Sequence, residues 1–449
     1  MTNLLAFLDV LSSIGGILAA VLILLAMVTV HEFGHYIAGK ALGFKITEFS
    51  VGFGPALFKK RSKKTGELFA LRLIPLGGYC AFDGEDESED AYGGYYANLK
   101  KKKEEEGVDA PVTEGAGEEK PKPLLQGLDE DTKAEIDALF SEETLPQEGA
   151  EVAQEEGKEE ESYPEPKGEK FVNQAPWKRI IVLVAGALMN YLLALLITLL
   201  MIGVYGAPRY EISVVDTKNQ DAATITDDAF LVTEGDKYTI VAIDGQSLYF
   251  ISDYQSVVDG KKAGDQITIT MIKAGEDTPF DKTITLSRDI SFANMSDAST
   301  ILRALIVPTG TSCSFSTVYL RQDFWGTIGA SFEYSFKLGG TILRSLGELL
   351  TGKIGVDSMG GPVTTIGMTA QVASNGFAAF LNIAALIGVN LAVFNLLPVP
   401  ALDGCKVIFC IIEWIRKKPV NRKVETIIHL VGILLLFGFA IFVDIFHFF

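Results

Sequence analysis

The stretch Ile17–Lys40, "ILAAVLILLAMVTVHEFGHYIAGK", puts His31, Glu32 and His35 at the end of an apolar run long enough to cross a bilayer. A hydrocarbon core needs about 20 mostly apolar residues in a helix. In that helix His31 and His35, four residues apart, share one face. Both imidazoles then turn a nitrogen toward one metal ion, at about 2.0–2.1 Å for zinc. Glu32 stands beside them, placed to take a proton from a water held by that ion. An ionisable Glu at membrane depth is costly unless it is used or paired, and a metal site supplies the use.

The rest of the chain fits this setting. Of its 449 residues 48% are hydrophobic and 21% charged, and the mean hydropathy is positive. That combination describes a membrane protein whose charge is segregated into loops. The net charge of −18 argues against a nucleic-acid partner, because phosphates require a basic face. Cys80, Cys313, Cys405 and Cys410 form no CxxC pair, so neither a thiolate zinc site nor a disulfide framework is expected.

Three further apolar segments are long enough to span. One starts at Ile180, one runs from about Phe377 to Trp414 and is broken by prolines, and one starts at Ile427. The first span, from about Leu11 to Ala38, lacks the basic leader and the small-residue cleavage site of a signal peptide, and is read as retained. "KKRSKK" at 59–64 follows span one, and "IRKKPVNRK" at 415–423 follows span three. Basic loops stay in the cytoplasm, so both chain ends and the region after span two are expected outside.

Between Glu211 and Arg288, "KYTIVAIDG", "QITITMI" and "KTITLSR" alternate with period two and read as strands. "SDYQSVVD" reads as a helix and Asp244-Gly245 as a turn, giving an α+β module of PDZ size. The acidic stretch from Asp83 to Lys170 has too little apolar content to offset its ordering entropy and is expected to stay disordered, apart from a short helix in "DEDTKAEIDALFSEE". Residues 324–350 show helical spacing with Glu333, Lys337 and Arg344 spread along them, which favours an interfacial helix over a fifth span.

A catalytic zinc takes three protein ligands and keeps one position open. "NLLPVPALDG", Asn395–Gly404, offers Asp403, the one acid between Phe377 and Ile412. Pro398 and Pro400 break the helix there. Irregular backbone at membrane depth is tolerated where it lines a cavity or protein interior. By the topology above, this stretch and HEFGH meet at one side of the membrane.

In these features the chain resembles the site-2 protease family of intramembrane zinc metalloproteases, in particular the bacterial regulated-proteolysis branch with a single external PDZ domain. The resemblance rests on HEFGH, on "GFGPALF" with "TGELFALRLIPLGGYCAFDGEDE", on "WKRIIVLVAGALMN", on "LTGKIGVDSMGGPV" and on "NLLPVPALDG". It covers roughly residues 1–90 and 171–449. It implies that His31, His35 and Asp403 bind Zn2+, that Glu32 is the base, that Asn395 helps hold an extended substrate, and that Gly77 and Gly78 lie in a membrane-entering hairpin that contacts substrate. Two features depart from the family pattern: Cys405 stands where a second glycine usually follows LDG, and the acidic insertion has no common counterpart.

The expected architecture is an α-helical polytopic membrane protein with four transmembrane helices, a membrane-associated β-hairpin and an inserted α+β PDZ-like extracytoplasmic domain. The expected parts are helix one with the zinc motif (1–40), the hairpin (41–82), the acidic cytoplasmic insertion (83–170) and helix two (171–207). They continue with the PDZ-like domain (208–300), the interfacial helix and Gly-rich segment (301–375), helix three with LDG (376–414), and the basic loop with helix four (415–449). The resemblance further implies a bacterial plasma-membrane enzyme whose site lies near the cytoplasmic side. Its substrates would be single-span proteins such as anti-sigma factors, or signal-peptide remnants. Two other classes fit less well. A zinc transporter would space its ligands along a path through the bilayer, and here they cluster at one end. A non-catalytic scaffold with a PDZ-like module does not require Glu32.

Overall fold

The computed structural model describes residues 2–85, 163–216, 235–276, 278–286, 289–290, 312–352 and 360–448. Most of the acidic stretch, with its expected short helix, therefore lies outside the described residues. Among the described residues, four helices are long and apolar enough to cross a membrane: Gly15–Leu42, Pro176–Tyr205, Phe377–Leu396 and Lys423–Ile445.

Helix α1 (Thr2–Leu42) leads into a two-stranded antiparallel hairpin, β1 (Ile46–Arg61) and β2 (Leu68–Phe82). Helix α2 (Pro176–Tyr205) starts on a proline that needs no backbone partner at that position, and returns antiparallel along α1. The two approach closely because Gly34 of α1 lies on the backbone of Ala185 and Gly186. Helix α6 (Phe377–Leu396) packs on both, with Gly388 against Ala194 and Met27. Small residues at such crossings let helices touch where lipid offers no hydrophobic drive.

At the far end of α2 the chain enters a sheet of order β7-β6-β4-β3-β8, with β5 paired to β4. Its strands are β3 (Ala207–Asp216), β4 (Lys237–Ile243), β5 (Gln246–Ser247), β6 (Gln266–Lys273), β7 (Phe280–Thr285) and β8 (Ser312–Leu320). Helix α3 (Ile251–Val258) covers a core that includes Ile212, Ile240, Ile243, Ile267 and Ile269. Asp244 (φ +48°) and Gly245 (φ +75°) make the two-residue turn joining β4 to β5; both need positive φ, which is why Asp-Gly recurs in such turns.

Helix α4 (Phe324–Leu350) connects this module to the membrane helices. On one side Lys337 donates to the Ser247 carbonyl, Arg344 to the Ser252 carbonyl at 2.6 Å, and the Tyr249 hydroxyl to Glu333 at 3.0 Å. On the other, the Tyr334 hydroxyl donates to Asn382 of α6. Burial, with Glu333 nearby, raises the pKa of Tyr249 against the lowering effect of Arg209, so the phenol stays a donor.

The third apolar segment is broken at its prolines, but the span ends at Leu396 and does not run through 376–414 as expected. It divides into α6 and a separate amphipathic helix, α7 (Asp403–Arg416), with a proline loop between them. Lys406, Glu413 and Arg416 give α7 a polar face that a span does not carry. Helices α5 (Pro362–Ser374) and α8 (Arg422–Phe448) complete the bundle.

A buried ion pair seats α7 on α2: Arg179 Nη2 donates to Glu413 Oε1 at 2.5 Å, with side chains 2% and 10% exposed. Removing one partner of such a pair leaves an uncompensated charge and costs about 3–5 kcal/mol. Arg179→Met is therefore expected to lower the thermal midpoint in detergent by several degrees, while Arg179→Met with Glu413→Leu recovers most of the loss. Equal destabilisation in both variants would mean that packing rather than charge explains the contact.

Candidate metal centre

His31 and His35 face α2, and α2 meets them with two residues at the same four-residue interval, Gly186 and Asn190. In an antiparallel pair this sets His35 opposite Gly186 and His31 opposite Asn190. A Cβ at position 186 would fall against the Nε2 of His35, so a glycine there leaves room for the imidazoles. Val182, one turn earlier, uses its carbonyl: His35 Nδ1 donates to it at 2.8 Å. With Nδ1 so committed, Nε2 of His35 is the nitrogen left for a metal.

Asp403 arrives from α7. Its Oδ2 lies 3.0 Å from His31 Nε2 and 3.4 Å from His35 Nε2. The two Nε2 atoms are 3.1 Å apart. Four ligands about 2.0–2.1 Å from a tetrahedral ion stand roughly 3.3 Å from one another. The triangle of 3.0, 3.1 and 3.4 Å matches that spacing, and among the described residues no other group of His, Cys, Asp and Glu side chains comes together this way. The set, two imidazoles and one carboxylate, is the donor set of a catalytic zinc with one position left open.

A second observation supports the fit. Asn190 Oδ1 is buried without a partner, while its Nδ2 lies 3.4 Å from His31 Nδ1. If His31 binds metal through Nε2, its Nδ1 carries the proton. Turning the amide then puts the orphaned oxygen on that N–H. Asn395, at the end of α6, also brings its Nδ2 within 3.4 Å of His31 Nδ1.

Glu32 points toward β2. The Cys80 backbone N–H donates to its carboxylate, and Gly78 lies so close that a Cβ there would stand 3.3 Å from Glu32 Cγ. Gly77 (φ +93°) instead lies against the Phe53 ring, on the hairpin's own partner strand. The hairpin is fastened to α1 by Glu67, 1% exposed, which accepts from Lys40 at 2.5 Å, Thr65 at 3.0 Å and Tyr36 at 3.1 Å. It is stiffened by Arg72, which donates to Glu48 at 2.9 Å, to Ser50 at 2.8 Å and to the Gly54 carbonyl at 2.9 Å. Burial and the neighbouring Glu48 raise the pKa of Tyr79, so its hydroxyl remains the donor to Glu48 at 2.7 Å.

The roles of Val182, Asn190 and Cys80 were not expected from the sequence. Two of them act through backbone atoms, which leave no side-chain signature. Asn190 had one: Gly186 and Asn190 repeat the interval of His31 and His35.

The chain matches peptidase family M50 over residues 19–439. It is 28% identical over 433 residues to the zinc metalloprotease RasP of Oceanobacillus iheyensis, covering 94% of this chain and 95% of the relative. To the zinc metalloprotease RasP of Bacillus licheniformis it is 27% identical, covering 93% and 94%. To the regulator of sigma-W protease RasP of Bacillus subtilis it is 28% identical, again covering 93% and 94%. With a polytopic apolar bundle, a close triangle of two imidazoles and one carboxylate inside it and a family match over nearly its whole length, the chain belongs to peptidase family M50, the site-2 protease family of zinc metalloproteases.

Proposed function

We propose that the chain cleaves single-span membrane proteins within the bilayer, with His31, His35 and Asp403 holding Zn2+ and Glu32 acting as general base. The observation that carries this reading is the 3.0–3.4 Å triangle of ligand atoms at one end of apolar helices. Zinc held there would supply Lewis acidity, which lowers the pKa of a bound water toward neutrality and polarises a carbonyl. Glu32, oriented by the Cys80 N–H, accepts the proton of the attacking water and passes it to the leaving amine.

A helical substrate hides its carbonyls in intrahelical hydrogen bonds and must unwind before attack. Strand β2, next to Glu32, offers an edge to which an unwound segment adds as a strand. Gly78 keeps that edge free of side chains beside Glu32, Gly77 leaves room for the Phe53 ring at the same turn of the strand, and Asn395 holds the substrate from the other side. The basic segments 59–64 and 415–423 support a reading in which the site lies near the cytoplasmic face of a bacterial plasma membrane and both termini lie outside. The β3–β8 module, at the opposite end of α2, is then external. It is PDZ-like and acts as a size filter that admits substrates already trimmed outside. The name of the Bacillus subtilis relative, a regulator of sigma-W, points to anti-sigma factors as one substrate class; signal-peptide remnants are a second.

The test is purified protein in proteoliposomes with a single-span substrate. Cleavage inside the span, abolished by a chelator and restored by one equivalent of zinc, is the expected result. Cleavage confined to residues outside the span, or indifferent to the chelator, would overturn the proposal.

A further inference from the structure

The loop that delivers Asp403, residues 397–402, has few backbone donors. Pro398 and Pro400 have no N–H. Leu397 N–H donates to the Phe394 carbonyl at 3.0 Å, Val399 N–H to Leu397 at 2.7 Å, and Leu402 N–H to Val399 at 3.1 Å. The remaining donor, Ala401 N–H, leaves the loop and reaches His429 Nδ1 on α8 at 3.0 Å. Ala401 has φ +79°, in the left-handed region that residues with a Cβ disfavour and that persists where surroundings hold it.

Helix α8 holds the loop at a second point on the same face. Gly432, three residues beyond His429, lies against Pro400: a Cβ there would stand 2.8 Å from the Pro400 carbonyl carbon and 3.0 Å from its oxygen. The Phe409 ring of α7 meets the His429 ring edge-on, with centroids 6.0 Å apart. Much of the rest of α8, including Leu434, Leu435, Phe437 and Ile441, is exposed as a lipid-facing surface would be. The strained residue, its outward hydrogen bond and the prolines all lie within five residues of Asp403.

We propose that His429 is a positioning residue: through Nδ1 it holds Ala401 in its left-handed turn and so fixes the approach of Asp403 to the two imidazoles. The inference rests on the reading of Asp403 as a zinc ligand. His429 touches neither metal nor substrate, and its effect runs through the loop backbone.

The experiment measures zinc affinity by chelator competition, with kcat and KM, on the full chain in detergent carrying His429→Leu, His429→Asn, Ala401→Gly, and His429→Leu with Ala401→Gly. Outer partners of metal ligands typically contribute 10–100-fold in affinity, so His429→Leu should weaken zinc binding by about 10-fold or more and lower kcat with little change in KM. Asn offers Oδ1 near the place of Nδ1, so His429→Asn should stay within roughly 3-fold of wild type. Ala401→Gly should recover part of the His429→Leu loss, because glycine takes positive φ without support. Wild-type zinc affinity in His429→Leu, or a defect in His429→Asn equal to that of His429→Leu, would overturn the role of His429. Failure of the underlying reading shows differently, as wild-type affinity retained when Asp403 itself is replaced.

Discussion

Glu32→Gln should bind zinc as wild type does and cleave about 10²–10⁴-fold more slowly, the usual contribution of a positioned acid–base group. Gln keeps the shape of Glu and an oxygen to accept the Cys80 N–H, so the contact with β2 survives. The variant loses only the capacity to take a proton. Glu32 is not among the three atoms that form the ligand triangle, so metal content and catalysis separate: atomic absorption should read one zinc while kcat falls with KM nearly unchanged. If zinc is lost together with activity, Glu32 supports the site rather than acting as base. If activity persists at the wild-type rate, another group takes the proton.

How much of this was legible in the sequence varies with the physics of each feature. Long apolar helices carry their signal in composition, and the i, i+4 interval of His31 and His35 follows from helical periodicity alone. Asp403 could be singled out because a membrane-depth acid beside two prolines is conspicuous. The end of the third segment is not legible for a related reason: apolar content runs on past Leu396 into α7, and only the tertiary placement shows Glu413 turned inward to Arg179 rather than toward lipid. Cys405 illustrates the opposite case. It departs from the family pattern by standing in place of a glycine, yet the residue that needs no side chain is Gly404, where a Cβ would stand 2.5 Å from the Leu396 carbonyl carbon. Cys405 is simply buried, 7% exposed. Contacts made by backbone atoms, such as Val182 with His35 and Cys80 with Glu32, have no residue type to announce them.

Asp403→Ala should lose zinc more severely than any other single change outside the two histidines. Removing a partner one shell out from a metal ligand costs 10–100-fold in affinity, so removing the ligand itself should cost more than about 100-fold. The substitution leaves two imidazoles 3.1 Å apart, still oriented by Val182 and Asn190, with no carboxylate to complete the set or offset the ion's charge. A competing account is structural. Asp403 is an acid in the first turn of α7, where it favours the helix dipole by about 0.3–1 kcal/mol. That account predicts a small, metal-independent fall in stability and near-normal zinc binding. The two are separated by measuring thermal midpoints with and without zinc. A ligand role requires that zinc raise the wild-type midpoint and leave the Asp403→Ala midpoint almost unmoved, because a metal stabilises the folded state only in proportion to its binding. Asp403→Glu gives the intermediate case: the charge remains, but one more methylene must fit a triangle whose longest side is 3.4 Å, so zinc binds more weakly than in wild type and more tightly than in Asp403→Ala. An affinity order in which Ala equals wild type would remove Asp403 from the site, and with it the chain's third protein ligand for zinc.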